Sequence, residues 1–226
     1  MKEAEASPRG VLKVTAPPAF AELFMDGMLS DFARAYPDVR LILDLSDRFV
    51  DLVAEGFDVA LRAGPLPDSS LKARLLGSAP LHCYASPEYV RRKGAPQTPE
   101  ELADHDVLAF GTDDRAMKWS FIVKKAVRPF QLKPRMTLNS FVLLRQLAEA
   151  GLGIARMPAP LAAESVEQGR LVEVITRFAL PPSPLHAVFV SSPHPSPKAR
   201  AFLDHLSAHF ASEPLPRRRP QIPQIG

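Results

Sequence analysis

Apolar residues recur along this chain in two rhythms, steps of two and steps of three or four, and their succession predicts an α/β protein. Val11, Leu12 and Val14 mark a short strand ending at Thr15. Phe20, Leu23, Phe24, Met28, Phe32 and Ala35 follow at helical steps, which predicts one long amphipathic helix opened by Pro17 and Pro18 and stopped by Tyr36-Pro37-Asp38. Val39, Leu41, Leu43 and Leu45 alternate as a strand, and Asp47 is placed to cap a short helix through Leu52, Val53 and Glu55 that Gly56 ends. Phe57 to Arg62 is the next strand, followed by the loop Ala63-Gly64-Pro65-Leu66-Pro67-Asp68. The order β-α-β-α-β calls for a largely parallel sheet with right-handed crossovers.

A new segment begins near Pro80. Leu81, Cys83 and Ala85 alternate with His82 and Tyr84, Ser86 caps a helix with Pro87 at its first position, and Thr98-Pro99-Glu100-Glu101 is a capping box ahead of Leu102. Asp106 to Phe110 is a strand, and 119–123 with 127–132 is an antiparallel pair. Met136 and Leu138 lead into a polar turn at Asn139 and Ser140, either of which can accept from the first N–H groups of a helix bearing Leu143, Leu144, Leu147 and Ala148 on one face. Gly151 stops that helix and Leu152 to Ala155 is a short buried strand. Pro160 to Gln168 is a helix stopped by Gly169, Leu171 to Ile175 a strand, Pro181 to Pro184 a break, and His186 to Val190 a strand. Ser196-Pro197 opens a closing helix with Phe202, Leu203, Leu206 and Phe210 on one face. Two α/β halves of similar content suggest two small lobes.

A strand-to-helix turn aims spare N–H groups and partial positive charge outward, so the one at Asn139 and Ser140 suits a carboxylate or another anion, against the blander reading of an ordinary cap on an ordinary α/β unit, and Thr15 occupies a second such turn. Arg62, at a strand end before a Gly-Pro loop, reads as a guanidinium gripping a carboxylate, or as a surface arginine or a partner of Asp58 or Asp68.

Composition narrows the field. At 226 residues, 46% hydrophobic and 23% charged, the chain has ample core for one large or two small domains. Its net charge of +3 owes +2 to Arg217, Arg218 and Arg219 against Glu213, which leaves the folded part nearly neutral. The single cysteine, the lack of an apolar leader in the first nine residues and the absence of a spanning apolar run point to the cytoplasm and no membrane. The sequence shows no Gly-Lys-Ser/Thr loop, no dinucleotide fingerprint and no Gly-x-Ser-x-Gly elbow, so neither a nucleotide cofactor nor hydrolase catalysis is expected. Among six histidines only His205 and His209 share a helix face, too little for a metal, and Cys83 is expected as a buried, inert thiol. Lys118, Lys124, Lys125, Arg128, Lys133 and Arg135 form a basic stretch without acids, open to a nucleic-acid contact or to the blander reading of a solvated hairpin face, which its slight aromatic interleaving favours.

Several stretches together carry a family resemblance. Glu5-Ala6-Ser7-Pro8-Arg9-Gly10-Val11-Leu12-Lys13-Val14 resembles the passage from linker helix to effector domain in LysR-type transcriptional regulators. The run from Asp51 to Gly64, Leu66-Pro67-Asp68-Ser69-Ser70-Leu71, Tyr84-Ala85-Ser86-Pro87-Glu88-Tyr89 and Gly151-Leu152-Gly153-Ile154-Ala155 are similar to signatures of one large branch of that family. The resemblance covers roughly residues 5 to 210 in matching order.

It implies a two-lobed α/β fold like the type 2 periplasmic binding proteins, each lobe a mixed, mainly parallel sheet flanked by helices, with a ligand cleft between them. Residues 1–9 would end the linker, 10–79 with 182–211 form lobe I, 80–181 form lobe II, and 212–226 a disordered Pro/Arg-rich tail. It implies an effector-sensing regulatory domain, not an enzyme, that binds a small, carboxylate-like molecule and pairs as a homodimer, possibly within a tetramer. DNA would be bound only through an N-terminal winged helix-turn-helix that these residues do not include. Effector contacts carried over from the family fall on Thr15, Ala16, Pro17, Arg62, Ala63, Gly64, Asn139, Ser140 and Phe141, with Phe110 and Ile154 as cleft walls. Thr15 stands where much of the family has a serine, a mild departure, and the two prolines after it remove donors an anion would use. A transport solute-binding protein shares the implied fold, and a small deaminase-like or dehydratase-like enzyme would need an acid–base pair the sequence does not display.

Overall fold

Twelve strands and six α-helices succeed one another along the described residues, 7–66, 71–111, 117–190 and 196–212 of the computed structural model. The first part runs β1 (Gly10–Ala16), α1 (Pro18–Phe24), α2 (Asp26–Ala35), β2 (Val39–Leu45), β3 (Val59–Ala63), β4 (Lys72–Ala79), β5 (Leu81–Ala85), α3 (Pro87–Lys93) and β6 (Val107–Phe110). Then come β7 (Lys118–Val123), β8 (Ala126–Gln131), β9 (Met136–Leu138), α4 (Phe141–Glu149), β10 (Ile154–Pro158), α5 (Ala159–Glu167), β11 (Val172–Val174), β12 (Ser183–Phe189) and α6 (Pro197–Ser212). The start of the linker before Ser7, the stretch Pro67 to Ser70 and the Pro/Arg-rich tail beyond Ser212 lie outside the described residues.

The chain divides into two units, which it passes between twice: residues 7–78 with 184–212, and residues 79–183. The first holds a five-stranded sheet in the order β2-β1-β3-β12-β4. β1 is parallel to β2 and β3, and the returning β12 is antiparallel to β3. Strand alternation sends Leu12, Val14, Ala16, Val59, Leu61, Leu185 and Ala187 to one face, where Phe20, Met28 and Phe32 of α1 and α2 and Phe202, Leu206 and Phe210 of α6 cover them. Ala60 and Val188 turn the other way, under Leu52.

The second unit has the sheet β11-β5-β10-β6-β9 and a separate two-stranded ladder, β7-β8. In its main sheet β5 is antiparallel to both neighbours, while β10, β6 and β9 are parallel, so the sheet is mixed in equal parts. β5 is buried on both faces: Cys83 and Ala85 pack with Tyr89, Val107 and Trp119, and Tyr84 packs with Leu108, Leu144 and Met157. Burial pushes the Cys83 thiol up to about 12, so it is not a thiolate at neutral pH.

Several sequence expectations change. The helix expected over 18–35 is broken at Met25, whose φ of −109° and ψ of −9° distort the helical turn while its N–H still bonds Ala21 O and its carbonyl accepts from Leu29 N–H. Met25 is fully buried, whereas Leu23 at 42% exposure and Ala35 fall outside the core face. Asp47 caps nothing: Asp51 Oδ1 accepts from the N–H groups of Val53 and Ala54, and the expected helix is a single turn. Gly56, at φ +70°, closes that turn with paired Phe57 N–H to Leu52 O and Gly56 N–H to Val53 O bonds. Thr98 does not close a capping box. Its hydroxyl donates to Glu101, whose carboxylate accepts from Gln97 N–H ahead of a 3-10 turn at Glu100–Asp104. The second half of the proline-rich break, Ser183 and Pro184, belongs to β12, and β4 occupies a stretch where no element was expected. Ser86 caps α3 as expected, accepting from Tyr89 N–H at 3.1 Å.

Candidate functional site

In the first unit three strands bring a polar group together on one sheet face. Thr15 pairs with Ala60 in the parallel register, which puts it on the side that Arg62 shares two residues further along β3. Arg62 Nη2 donates to Thr15 Oγ1 at 3.2 Å, and Nη1 donates to Leu61 O at 2.7 Å and more weakly to Ser46 O at 3.4 Å. Thr15 is fully buried and Arg62 is 5% exposed, so the reading of Arg62 as a surface arginine is overturned. Asp58 is not its partner either, since that carboxylate takes Lys198 Nζ at 2.9 Å and the Lys13 N–H at 2.9 Å. Asp68 lies outside the described residues.

Among the described residues no carboxylate oxygen comes within ion-pair distance of this guanidinium. Burial pulls the Arg62 pKa down from the ordinary arginine value, and Asp47 is the main charge opposing that fall. Burial likewise raises the Asp47 carboxyl above the usual range, with Arg62 restraining it. Asp47, expected as a helix cap, instead stands in the electrostatic surroundings of Arg62. Its signal was position, directly beyond the end of a strand parallel to β1, where open α/β sheets gather ligand groups.

Around this pair, Ala16 and Pro17 are buried, Ala63 is exposed, and Gly64 is half-buried at φ +90°. The Gly64 N–H is already committed to Pro184 O at 2.8 Å, and the Ala16 carbonyl accepts from Ser46 N–H at 2.9 Å. Pro17 is the cap position of α1 and makes no side-chain cap bond, and Pro18 follows as the first helical residue.

In the second unit the turn between β9 and α4 settles which residue caps the helix. Ser140 Oγ accepts from Leu143 N–H at 3.3 Å, while Asn139 lies one residue outside the helix and exposed. Phe141, the first helical residue, stacks flat on Phe110 at 3.8 Å with the planes 4° apart. Phe110 reaches it because β6 and β9 run parallel with Phe110 opposite Leu138. Leu144 and Ala148 bury this helix, but Leu143 is 46% exposed and leaves the expected core face. Gly151 at φ +74° ends α4 with Leu152 N–H to Leu147 O and Gly151 N–H to Ala148 O bonds.

Gly153 is demanded by contact: a Cβ there would lie 2.3 Å from the Asp106 carbonyl oxygen, so β10 approaches the start of β6 only without a side chain. Ile154, expected as a wall of the site, has no exposed surface and packs in the core with Val107 and Trp119. Among the described residues no group of three or more His, Cys, Asp or Glu side chains is placed to hold a metal, and no helix is long and apolar enough to cross a membrane.

Known proteins agree with this architecture. An HTH-type transcriptional regulator of Haemophilus influenzae is 31% identical over 189 residues, covering 84% of this chain and 66% of that protein. The HTH-type transcriptional regulator CrgA of Neisseria meningitidis serogroup C is 32% identical over 200 residues, covering 88% of this chain and 67% of CrgA. The chain thus spans about two thirds of the length of the curated relatives it matches. The solved regulatory domain of CrgA, a LysR-type transcriptional regulator, superposes with a TM-score of 0.75 at 32% identity over 89% of this chain and 98% of that domain. The two-unit α/β architecture is therefore the fold of a LysR-type regulatory domain. With residues 5–211 matching the family profile, the chain belongs to the LysR substrate binding domain family.

Proposed function

We propose that this chain is the effector-sensing domain of a LysR-type transcriptional regulator and that its effector is a small anion. The observation that carries the anion is Arg62: a buried guanidinium bonded only to neutral oxygens, with no carboxylate in ion-pair reach among the described residues. Buried charges are normally paired, so a ligand carboxylate that reaches Arg62 meets a group already desolvated and oriented by Thr15. In the other unit, the amide end of α4 at Ser140 supplies N–H groups and Phe110 stacked on Phe141 supplies an aromatic wall.

The proposed contacts are Thr15, Ala16, Pro17, Arg62, Ala63 and Gly64 in the first unit and Phe110, Asn139, Ser140 and Phe141 in the second, with Ile154 packed behind. Regulation follows if the effector binds one conformation better than another, since differential affinity alone shifts a conformational equilibrium. A cytoplasmic homodimer, with operator recognition by a helix-turn-helix part outside the matched residues, completes this reading. The comparisons do not favour a transport protein.

The test is a thermal-shift screen of the domain against small carboxylates, aromatic acids and neutral metabolites. Native-state binding at a hundredfold excess over Kd stabilises by about 2.7 kcal/mol. Anion-specific hits that Arg62→Ala abolishes and Ser140→Ala weakens are expected. Hits that survive both substitutions would place the effector elsewhere.

A further inference from the structure

We propose that the β7–β8 hairpin is a sequence-independent contact for the sugar–phosphate backbone of duplex DNA. This rests on the reading of the chain as part of a transcriptional regulator and is separate from its effector chemistry.

The first observation is charge. Lys118, Lys124, Lys125, Arg128, Lys133 and Arg135 are all exposed, and no acidic residue lies between Met117 and Leu138. Among the described residues only Arg135 of these six has an ion-pair partner, Asp106 at 3.6 Å. The excess is local: residues 79–183 hold 14 Lys and Arg against 11 Asp and Glu, whereas residues 7–78 with 184–212 hold 10 against 11.

The second observation is where two of the lysines stand. Val123 and Ala126 close the ladder, so Lys124 and Lys125 alone form the turn, at φ +49° and +65°. Positive φ at both positions is the tight hairpin turn that favours Asn-Gly, because a side chain crowds the backbone in the left-handed region. Two lysines at the tip are thus a locally unfavourable choice. Their charge is the property such a strained tip would be kept for.

The third is rigidity. Trp119 and Phe121 are buried in the core of this unit, Phe130 meets Phe121 edge-on at 5.7 Å, and Ile122 N–H donates to Ala179 O at 2.7 Å. A fixed ladder therefore carries Lys118 and Arg128, with Lys124 and Lys125 at its turn, while Lys133 and Arg135 follow its end. With about 3.3 Å per residue, Lys118 at its base stands roughly 20 Å from the tip. Duplex DNA presents one phosphate charge per about 1.7 Å of axis, so a ladder of this length spans several phosphates. The hairpin is a two-stranded ribbon with only slight aromatic interleaving and no helix to enter a groove, which fits backbone contact without base readout.

The experiment measures binding of the domain to a fluorescent duplex of arbitrary sequence as salt is raised from about 50 to 200 mM. The four hairpin cations Lys118, Lys124, Lys125 and Arg128, without an ion-pair partner among the described residues, give in contact a slope of log affinity against log salt of about −3.6. Replacing Lys124→Asn together with Lys125→Gly removes two charges while supplying the residues the turn prefers. It should lower the slope by about 1.8 and raise Tm. Arg40→Gln with Lys72→Gln, which removes the same charge from exposed positions of the first unit, should leave the slope unchanged. Absence of duplex binding by the wild type at the low-salt end would overturn the proposal. So would an unchanged slope in the Asn-Gly variant, an equal loss in the control, or displacement of the duplex by anionic lipid vesicles at lower phosphate concentration. None of these outcomes bears on the anion thermal-shift screen, so the two readings fail separately.

Discussion

The turns that follow β1 and β9 occupy equivalent places, each carrying the chain from the end of a parallel strand into a helix, yet they present positive charge by different physics. At β9–α4 a serine with φ −126° and ψ 113° caps the helix by accepting from Leu143 N–H, and the amides of Phe141 and Val142 have no partner within the helix. At β1–α1 the cap position is Pro17, with similar extended backbone at φ −60° and ψ 131°, but Pro18 follows and neither has an N–H. The helix there is seven residues long and offers a poor amide end. The first unit replaces it with Arg62, brought from β3 and docked on the Thr15 hydroxyl. One topological position can thus carry positive charge through backbone dipoles or through a desolvated guanidinium.

The largest test of that contrast is Gly153→Ala. Its Cβ would press on a main-chain oxygen, so β10 and β6 must separate and the sheet beneath the α4 turn should lose about 3 kcal/mol, read by denaturant unfolding. Next is Arg62→Met, which strands the Thr15 hydroxyl and two carbonyls and should cost about 2 kcal/mol. It also removes the cation that restrains Asp47.

The Asp47 carboxyl, already raised in the folded state by burial, should then rise further. A carboxyl raised on folding contributes stability that is complete below its unfolded pKa and is lost as pH rises through the folded one. The variant's loss should therefore extend to higher pH than the parent's, and Asp47→Asn should flatten both profiles. If the two profiles coincide, Asp47 and Arg62 are not coupled.

Ser140→Ala removes a single cap bond and should cost about 1 kcal/mol. Smallest is Pro17→Ser, which gives α1 the cap that α4 has while loosening the unfolded chain. The two terms nearly cancel, within about 0.5 kcal/mol in thermal unfolding. A gain well beyond that would show that the two turns differ by the cap alone.

Much of this was legible in the chain. The closing helix, the β7–β8 pair, the cap at Ser86, a cap at Asn139 or Ser140 and the glycine stops at 56, 151 and 169 all follow from local rules that need only neighbours in sequence. Failures came where a partner far along the chain decides. β12 begins amid prolines because Pro184 needs only its carbonyl there, to accept from Gly64 N–H. The bend at Met25 is hidden because Phe20, Met28 and Phe32 keep helical spacing across it. β4, with Leu75 exposed and no regular alternation, carries no pattern to read.

For the candidate site the division is similar. Sequence put Arg62 at a strand end and Ser140 at a helix start, because strand periodicity and capping chemistry are local. It left open whether Arg62 was solvated, paired with Asp58 or waiting for an anion. The tertiary structure removed the first two readings, since the register of β1 against β3 buries the guanidinium against Thr15 while Lys198 draws Asp58 away, and Asp68 lies outside the described residues. Periodicity along a chain reports which side of an element is apolar. Which charge ends beside which is set by strands and helices brought together from distant parts of the sequence, here Asp58 and Lys198 at opposite ends of it.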